Sequence, residues 1–316
     1  MISSLKLAKI CGVSQGTIDR ALHDRPGINP ETRKLVLEAA QKYGYRPHPA
    51  AYELLGGSRT MIGAIVPKLT GVFFMDLLNG IRDVLVGEGY RFFICPSSDS
   101  REFIQILEDF AARRCCATIV IPPEDDLPVP KYISENMPVI SLLSPCKGRN
   151  VYYLSPNEVQ TGRDAVAWLF ENGHKNIIHL TYQRRACAII DRAAGYTSEM
   201  QKRGLRPLVL TAPDKNNLPC AIRDTQATAL FCHNDWLALQ AMRMLMESGL
   251  KVPEDISVLG VDNSPTFKAL CPDITTMQYP VTDIAEYCRD LILNGKGQRR
   301  IGRLTIIERQ TVRKIL

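Results

Sequence analysis

Five side chains that could bind a small ligand follow predicted buried strands: Phe73, Phe74, Arg192, Asn234 and Asp262. The carboxyl ends of parallel strands meet at one edge of a sheet, where α/β proteins bind their ligands. Carboxylate and amide groups pair with adjacent hydroxyls, so the set favours a small hydroxylated ligand. Structural roles remain open, because Asn234 can cap the next helix, Asp262 can serve a turn, and the two Phe can pack in the core.

Two short motifs could indicate enzyme chemistry, and neither has the required context. Residues 12–16 match the Gly-x-Ser-x-Gly nucleophile motif, which needs a preceding buried strand and a triad. Here the motif follows a short predicted helix, so we interpret the match as coincidence. Residues 295–297 are an incomplete glycine fingerprint that follows no strand correctly. We find no phosphate-binding loop and no acid/base pair, so we do not expect an enzyme.

The cysteine pattern does not indicate a metal site. The chain has 10 Cys and 5 His, and no two cysteines form a Cys-x-x-Cys pair. We therefore expect reduced, mostly buried thiols, with no metal and no cofactor.

Length and composition indicate a globular protein with two domains. The 316 residues suit one small and one large domain, and 45% hydrophobic with 23% charged residues is ordinary. No apolar run of about 18 residues predicts a transmembrane helix. Residues 1–8 lack the apolar core of a signal peptide. We therefore expect a cytoplasmic protein with no membrane partner.

The first sixty residues carry excess positive charge and predict three short helices. They contain nine Lys and Arg against five acids, within a formal net charge of +6 for the whole chain. This excess favours phosphate binding, although solvated helix faces look similar. The turn at 11–13 contains Gly12 and has the length that a helix-turn-helix needs. Spacing alone leaves DNA binding and protein docking both open.

Capping residues and apolar stripes define these helices. The apolar residues Leu7, Ala8 and Ile10 mark the first helix, and Ser14 is a natural N-cap for the second. Pro30 opens the third helix, whose predicted inner stripe comprises Leu35, Val36, Ala39, Ala40 and Tyr43.

From Met61 onward, apolar runs alternate with amphipathic segments. The predicted strands are 62–66, 91–95, 118–121, 139–143, 176–180, 208–210, 229–232 and 257–261. The predicted helices between them include 75–87, 102–113, 158–171, 191–202, 235–248 and 282–293. Such alternation predicts parallel, doubly wound sheets. The strands are too many for one ordinary sheet, so we predict two similar halves with a cleft between them.

Three motifs connect the small helical unit to a known family: CGVSQGTIDRAL at 11–22, RPGINPETR at 25–33 and GYRP at 44–47. They closely resemble the lactose-repressor (LacI) family of bacterial transcription regulators, and the match continues through the large domain. The resemblance implies a small all-α helix-turn-helix headpiece plus two doubly wound parallel-sheet α/β subdomains of periplasmic-binding-protein type.

The resemblance also implies the domain boundaries. The helix-turn-helix DNA-binding domain spans 1–48, the hinge helix and linker 49–59, and the effector-binding and dimerisation domain 60–316. Within the last, the N-subdomain comprises about 60–155 plus 281–302, and the C-subdomain about 156–280 plus 303–316.

The family pattern implies DNA-binding roles on the helix that starts after Ser14. Gln15, Gly16 and Arg20 take the positions that contact base edges in the major groove, where Arg suits guanine and Gln suits adenine. Ser14 and Thr17 would contact phosphates, which position the helix without specifying sequence.

Two residues of this helix depart from the commonest family pattern. Gly16 offers no side chain at a usual contact position. Asp19 replaces a commoner Ser and is repelled by phosphate, unless it accepts a hydrogen bond from cytosine or orients Arg20. The operator sequence therefore does not follow from the helix.

The hinge segment has its own implied role. Leu54 matches the family's leucine that enters the minor groove and kinks DNA, as apolar wedges do. The alternative is that Leu54 and Leu55 pack within a linker.

The resemblance assigns effector-binding roles in the large domain. The segment 191–196 matches the one whose Arg contacts the effector, so Arg192 is the first candidate. Asn234 matches a ligand-binding Asn, and Asp262 matches an acid that binds ligand hydroxyls. Trp236 and Tyr279 are weaker candidates for the wall of the cleft.

Together these features predict a homodimeric repressor that binds double-stranded operator DNA under control of a small effector, a sugar or related polyol. The alternative is a solute-binding protein of a transport system. That class would share the large domain but carry an export signal and no helix-turn-helix.

Overall fold

The computed structural model describes residues 2–46, 59–183, 186–297 and 301–315. The chain divides into two compact units, Met1–Arg59 and Thr60–Leu316. Leu54 and the rest of the predicted hinge helix at 49–58 lie outside the described residues. Within the described ranges, no helix is long and apolar enough to cross a membrane.

The smaller unit consists of α1 (Ser4–Cys11), α2 (Gln15–Leu22) and α3 (Pro30–Lys42). A polar side chain caps each N-terminus by accepting a hydrogen bond from a backbone N–H, and these caps are Ser3, Ser14 and Asn29. Gly12 follows α1 in the left-handed region at φ 65°, which lets the chain turn sharply into α2. Its buried core comprises Leu7, Ala8, Ile18, Ala21, Val36 and Ala40.

The predicted inner faces of two helices are partly wrong. Leu35 and Tyr43 on α3 are 50% and 43% exposed, and Ile10 on α1 is 42% exposed. In a unit of three short helices, only a narrow line of each helix meets its neighbours. On α3 that line runs through Val36 and Ala40, one turn apart, and the neighbouring Leu35 lies outside it.

The first half of the larger unit contains a parallel sheet of five strands in the order β2-β1-β3-β5-β7. These strands are β1 (Met61–Val66), β2 (Arg91–Pro96), β3 (Ala117–Val120), β5 (Val139–Leu142) and β7 (Val151–Leu154). A two-stranded ribbon joins β4 (Leu127–Pro128) to β6 (Cys146–Lys147). The helices are α4 (Val72–Val86), α5 (Ser100–Ala112) and α6 (Lys131–Ser134).

The second half contains a six-stranded sheet in the order β13-β12-β11-β10-β8-β9, in which only β13 is antiparallel. Its strands are β8 (Ile177–Thr181), β9 (Leu208–Thr211), β10 (Ala229–Cys232), β11 (Ser257–Asp262), β12 (Thr275–Gln278) and β13 (Thr305–Ile307). Its helices are α7 (Glu158–Glu171), α8 (Cys187–Lys202), α9 (Asn217–Thr225), α10 (Asp235–Glu247) and α11 (Pro265–Leu270).

The chain passes between the two halves more than once. After β12, α12 (Val281–Asn294) returns to pack against α4, and Arg289 forms an ion pair with Glu88 at 2.5 Å. The chain then enters the second half again, where β13 pairs with β12. The prediction of two doubly wound α/β halves is confirmed, whereas the subdomain boundaries stay predictions.

Helices α7 and α8 pack at very short distance because each presents a glycine to the other. A Cβ atom at Gly162 would overlap the carbonyl oxygen of Arg192, and one at Gly195 would overlap that of Val159. This close approach brings the first turn of α7, which carries Glu158, against Arg192 on α8.

Candidate recognition helix and effector cleft

The N-terminus of α2 holds its hydroxyl side chains in a fixed arrangement. Ser14 Oγ accepts a hydrogen bond from the Thr17 backbone N–H at 3.1 Å and lies 2.9 Å from Thr17 Oγ1. Gln15 Nε2 donates to Ser4 Oγ at 3.0 Å, which ties α2 to the start of α1. The first turn of α2 is therefore ordered without any partner molecule.

Asp19 and Arg20 point to different surroundings. The Asp19 carboxylate lies 3.2 Å from Arg25 Nη1 and 3.0 Å from His23 Nδ1. Arg20 is exposed and forms no ion pair or hydrogen bond within the described part of the chain. Asp19 thus contacts the residues after α2 rather than orienting Arg20, which leaves the Arg20 guanidinium available to DNA.

Gly16 occupies an open position on the same exposed surface. A Cβ atom there would meet only Ser14 Oγ, at an ordinary contact distance of 3.7 Å. Packing within the unit therefore does not require glycine. The missing side chain leaves a flat area beside Gln15.

A cavity of about 480 Å³ opens between the two halves of the larger unit. All five effector candidates line it: Phe73, Phe74, Arg192, Asn234 and Asp262. Trp236 and Tyr279 also line it, as do residues that sequence reasoning missed: Thr70, Ser144, Glu158, Tyr182, His233 and Phe267. The volume suits a small ligand of the size that such clefts usually bury.

Arg192 is held in a buried ion pair. Its Nε and Nη2 atoms donate to Glu158 Oε2 at 2.9 and 2.6 Å, and Nη1 donates to the His233 carbonyl. Burial alone would lower the pKa of Arg192, but the nearby Glu158 and Tyr279 raise it above its usual value. Three of the five guanidinium N–H groups are used, so two remain for a ligand.

Asp262 ends β11 as a buried carboxyl without a bonded partner. It is 6% exposed, its φ is 122°, and no hydrogen bond or ion pair reaches its side chain from the described residues. Burial raises the pKa of Asp262 well above its usual value, and the neighbouring Asp235 raises it further. A non-glycine residue held in this backbone region is strained, which is typical of functional sites.

Asp235 lies behind Asp262 and is satisfied by the protein. Thr276 Oγ1 donates to Asp235 Oδ1 at 2.6 Å, and the Asn263 backbone N–H donates to Oδ2 at 2.8 Å. Burial raises the pKa of Asp235 to about 6 despite these hydrogen bonds. Gly260 gives it room, because a Cβ atom there would overlap Oδ1.

Asn234 combines a structural role with a place in the cleft. Its Oδ1 caps α10 by accepting from the Leu237 backbone N–H at 3.0 Å, and it also accepts from Tyr182 Oη at 2.9 Å. Its Nδ2 has no hydrogen bond among the described residues. The capping interpretation and the ligand interpretation are therefore compatible, since they use different atoms.

Aromatic rings form much of the remaining wall. The centroids of Phe73 and Tyr279 are 5.1 Å apart in an edge-to-face arrangement, and those of Trp236 and Phe267 are 6.1 Å apart. Tyr279 Oη donates to Glu158 Oε1 at 2.8 Å. Burial and the Glu158 carboxylate raise the pKa of Tyr279 well above its usual value, so it stays a hydrogen-bond donor.

Two carboxylates of the first half reach helix N-termini of the second half. Asp76 on α4 accepts from the backbone N–H and hydroxyl of Thr266 at 3.2 and 3.0 Å. Asp125, which follows β3, accepts from the Cys187 backbone N–H at 2.6 Å. These contacts hold the halves together around the cleft, because a helix N-terminus favours negative charge.

The described residues contain no group of three or more His, Cys, Asp or Glu that could hold a metal ion. The chemistry of the cleft is therefore hydrogen bonding, charge pairing and aromatic contact. A basic helix-turn-helix unit and an α/β ligand cleft in one chain define a ligand-responsive DNA-binding protein.

Comparisons with known proteins agree with this class. Residues 166–313 match the family model of the periplasmic binding protein-like domain. The chain is 27% identical to the HTH-type transcriptional repressor PurR of Histophilus somni over 287 residues, which are 86% of this chain and 85% of that protein. It is 27% identical to the HTH-type transcriptional regulator GalS of Salmonella typhimurium over 315 residues, 93% of this chain and 90% of the other.

The solved structures agree on the fold. The Lac repressor dimer bound to operator and the anti-inducer ONPF matches 99% of this chain and 99% of its own, with a TM-score of 0.82 and 22% identity. The chain belongs to the LacI family of transcription regulators. It is therefore a DNA-binding regulator and not an enzyme, and the alternative of a transport solute-binding protein is not favoured.

Proposed function

We propose that the protein is a homodimeric repressor whose operator affinity is controlled by a small hydroxylated effector in the cleft. The observation that carries this proposal is the cleft itself. Arg192 and Asn234 retain free N–H groups there, and Asp262 offers a free carboxyl. Donors and acceptors in this combination match adjacent hydroxyls on a sugar or related polyol.

DNA recognition rests on α2. Gln15 and Arg20 are exposed on this helix, and Arg20 has no partner among the described residues. We assign base contacts to Gln15 and Arg20, and phosphate contacts to Ser14 and Thr17. Asp19 and Gly16 shape the same surface, while Leu54 is the proposed wedge in the minor groove.

Assembly and control follow from symmetry and linkage. A dimer would place two copies of α2 on the half-sites of a pseudo-palindromic operator, as dimeric helix-turn-helix proteins do. The Lac repressor in the matched structure is likewise a dimer bound to operator. An effector shifts the protein toward release or binding only if it binds the two states with different affinity. Operator binding places the protein in the cytoplasm.

Replacing Arg20 by Ala should weaken specific operator binding about 10- to 100-fold, because a bidentate arginine–guanine contact contributes about 1–3 kcal/mol. Fluorescence anisotropy on an operator recovered by selection from random duplexes measures this loss. Arg101→Ala removes the same charge from the exposed start of α5 and should leave operator binding unchanged. An Arg20→Ala protein with an unaltered footprint and affinity would contradict the assignment of α2.

Replacing Leu54 by Ala should reduce the DNA bend, since a smaller side chain cannot unstack a base step as well. Gel shifts with circularly permuted operator fragments measure the bend angle. Leu55→Ala is the matched control, with bending retained. Equal bending by the Leu54→Ala variant and the parent protein would favour the linker interpretation.

A further inference from the structure

The charges that line the described part of the cleft do not balance. Arg192 is the cation of this set, and Glu158 engages it through two hydrogen bonds to one carboxylate oxygen. Asp262 is a second acid in the same cavity, and it has no cation of its own. The ligand-free cleft therefore presents one carboxyl that lacks a counter-ion.

This carboxyl is too deeply buried for water to replace a partner fully. Asp262 is 6% exposed, and an unpaired charge in such a place is costly. The neighbouring hydroxyl donors are used elsewhere, because Tyr182 donates to Asn234 and Tyr279 donates to Glu158. The site thus lacks a protein donor for Asp262, which is the condition a ligand donor would satisfy.

Several charged or titratable groups surround Asp262. Asp235 on α10 and Glu158 on α7 raise its pKa, whereas Arg192 on α8 lowers it, and burial has the largest effect. Arg309 lies farther out and donates to Asn263 Oδ1 at 2.6 Å. The surroundings favour a protonated Asp262 in the empty cleft. A cationic ligand group would reverse this preference.

His233 provides a second buried polar atom without a partner. The residue is 9% exposed, and its Nδ1 has no hydrogen bond. Burial and the Arg192 charge lower the pKa of His233 well below its usual value, so the ring stays neutral. A neutral ring protonated at Nε2 can accept a hydrogen bond at Nδ1.

The aromatic wall suits a cation as well as a sugar ring. Phe73, Trp236 and Phe267 line the cavity together with Tyr182 and Tyr279. Faces of such rings attract an ammonium group that has left water.

From these features we propose that the effector carries a protonated amine beside its hydroxyls, as in an amino sugar or amino polyol. Its ammonium group pairs with Asp262, and its hydroxyls meet the free N–H groups of Arg192 and Asn234. The inference rests on the proposed function, because it specifies the ligand of the same cleft. A neutral sugar would leave Asp262 without a counter-ion.

Matched ligand pairs test this inference on the full-length protein. D-Glucosamine is compared with D-glucose and N-acetyl-D-glucosamine, and D-glucamine with D-sorbitol, by thermal shift and titration calorimetry. We expect the amines to raise Tm and to bind at least about tenfold more tightly than their neutral partners, since hydrogen bonds to charged groups are stronger. Amine affinity should fall as pH falls through the raised pKa of Asp262, because binding then releases a proton.

Asp262→Asn keeps the shape of the side chain and removes its charge. The variant should lose the preference for amines, while the ligand-free protein keeps or gains Tm because an unpaired buried carboxyl is gone. Asp224→Asn removes a carboxylate from the exposed surface of α9 and should retain the amine preference. A preference that survives in Asp262→Asn overturns the proposed contact.

Operator binding separates this inference from the proposed function. If D-glucose or D-sorbitol shifts Tm as strongly as the amines, or if no amine shifts Tm, the ligand class is wrong. A neutral ligand that alters operator affinity would then leave the proposed function intact. If the amines bind through Asp262 without altering operator affinity, the ligand class stands and effector control of the operator is wrong.

Discussion

Replacing Arg192 by Ala should destabilise the larger unit by about 3–5 kcal/mol, the usual cost of leaving a buried charge without its partner. Glu158 is 4% exposed and would lose its cation, and the His233 carbonyl would lose its donor. The variant should also lose any thermal shift caused by the effector, because the guanidinium lines the cleft.

Tryptophan fluorescence during urea unfolding reports this change directly. Both tryptophans, Trp168 and Trp236, lie in the larger unit, so the smaller unit does not contribute. The measurement is made at fixed protomer concentration, since dimerisation would affect apparent stability.

A double variant separates the loss of the pair from the loss of packing. Arg192→Met with Glu158→Gln removes both charges and keeps similar volumes, so it should recover much of the stability that Arg192→Ala loses. A double variant whose loss equals the sum of the single losses would show that the two residues do not interact. A loss below about 1 kcal/mol in Arg192→Ala would place the ion pair in effective contact with solvent.

Strand ends made the cleft predictable from the sequence. Phe73, Asn234 and Asp262 follow apolar runs that form parallel strands or precede helices, and the carboxyl ends of such strands meet at one edge. The alternation of strands and helices likewise predicted two doubly wound halves. These features depend on local pattern, which a single sequence carries.

Long-range partners were not predictable in the same way. Glu158 looks like an acid in the first turn of a helix, and nothing nearby in sequence indicates that it pairs with Arg192, 34 residues later. The start of α8 was placed at 191, whereas the helix begins at Cys187. Its first N–H groups are capped by Asp125 from the other half, so no local capping residue marks the start.

The recognition helix shows the same limit on a smaller scale. The N-cap Ser14 and the buried Ile18 follow from periodicity and capping chemistry. The engagement of Asp19 by Arg25 does not, because it depends on how the chain turns after α2. Sequence reasoning located the helix but left open where this carboxylate points.

Replacing Gly195 by Ala should destabilise the larger unit by about 3 kcal/mol, at the upper end of the usual cost of overpacking. The added Cβ would overlap the Val159 carbonyl oxygen, and backbone atoms cannot move aside as a flexible side chain can. Helices α7 and α8 would have to separate. That separation would move Arg192 away from Glu158, so the response to the effector should weaken together with stability.

Gly87→Ala is the matched control for this substitution. Gly87 ends α4 with φ −60° and ψ −29°, and a Cβ atom there meets nothing within 4 Å. Alanine should therefore be neutral or slightly stabilising at 87, because it restricts the unfolded chain. If urea unfolding gives Gly195→Ala the same stability as Gly87→Ala, the close contact of α7 with α8 does not hold Glu158 against Arg192, and the pair must be positioned by the surrounding sheet instead.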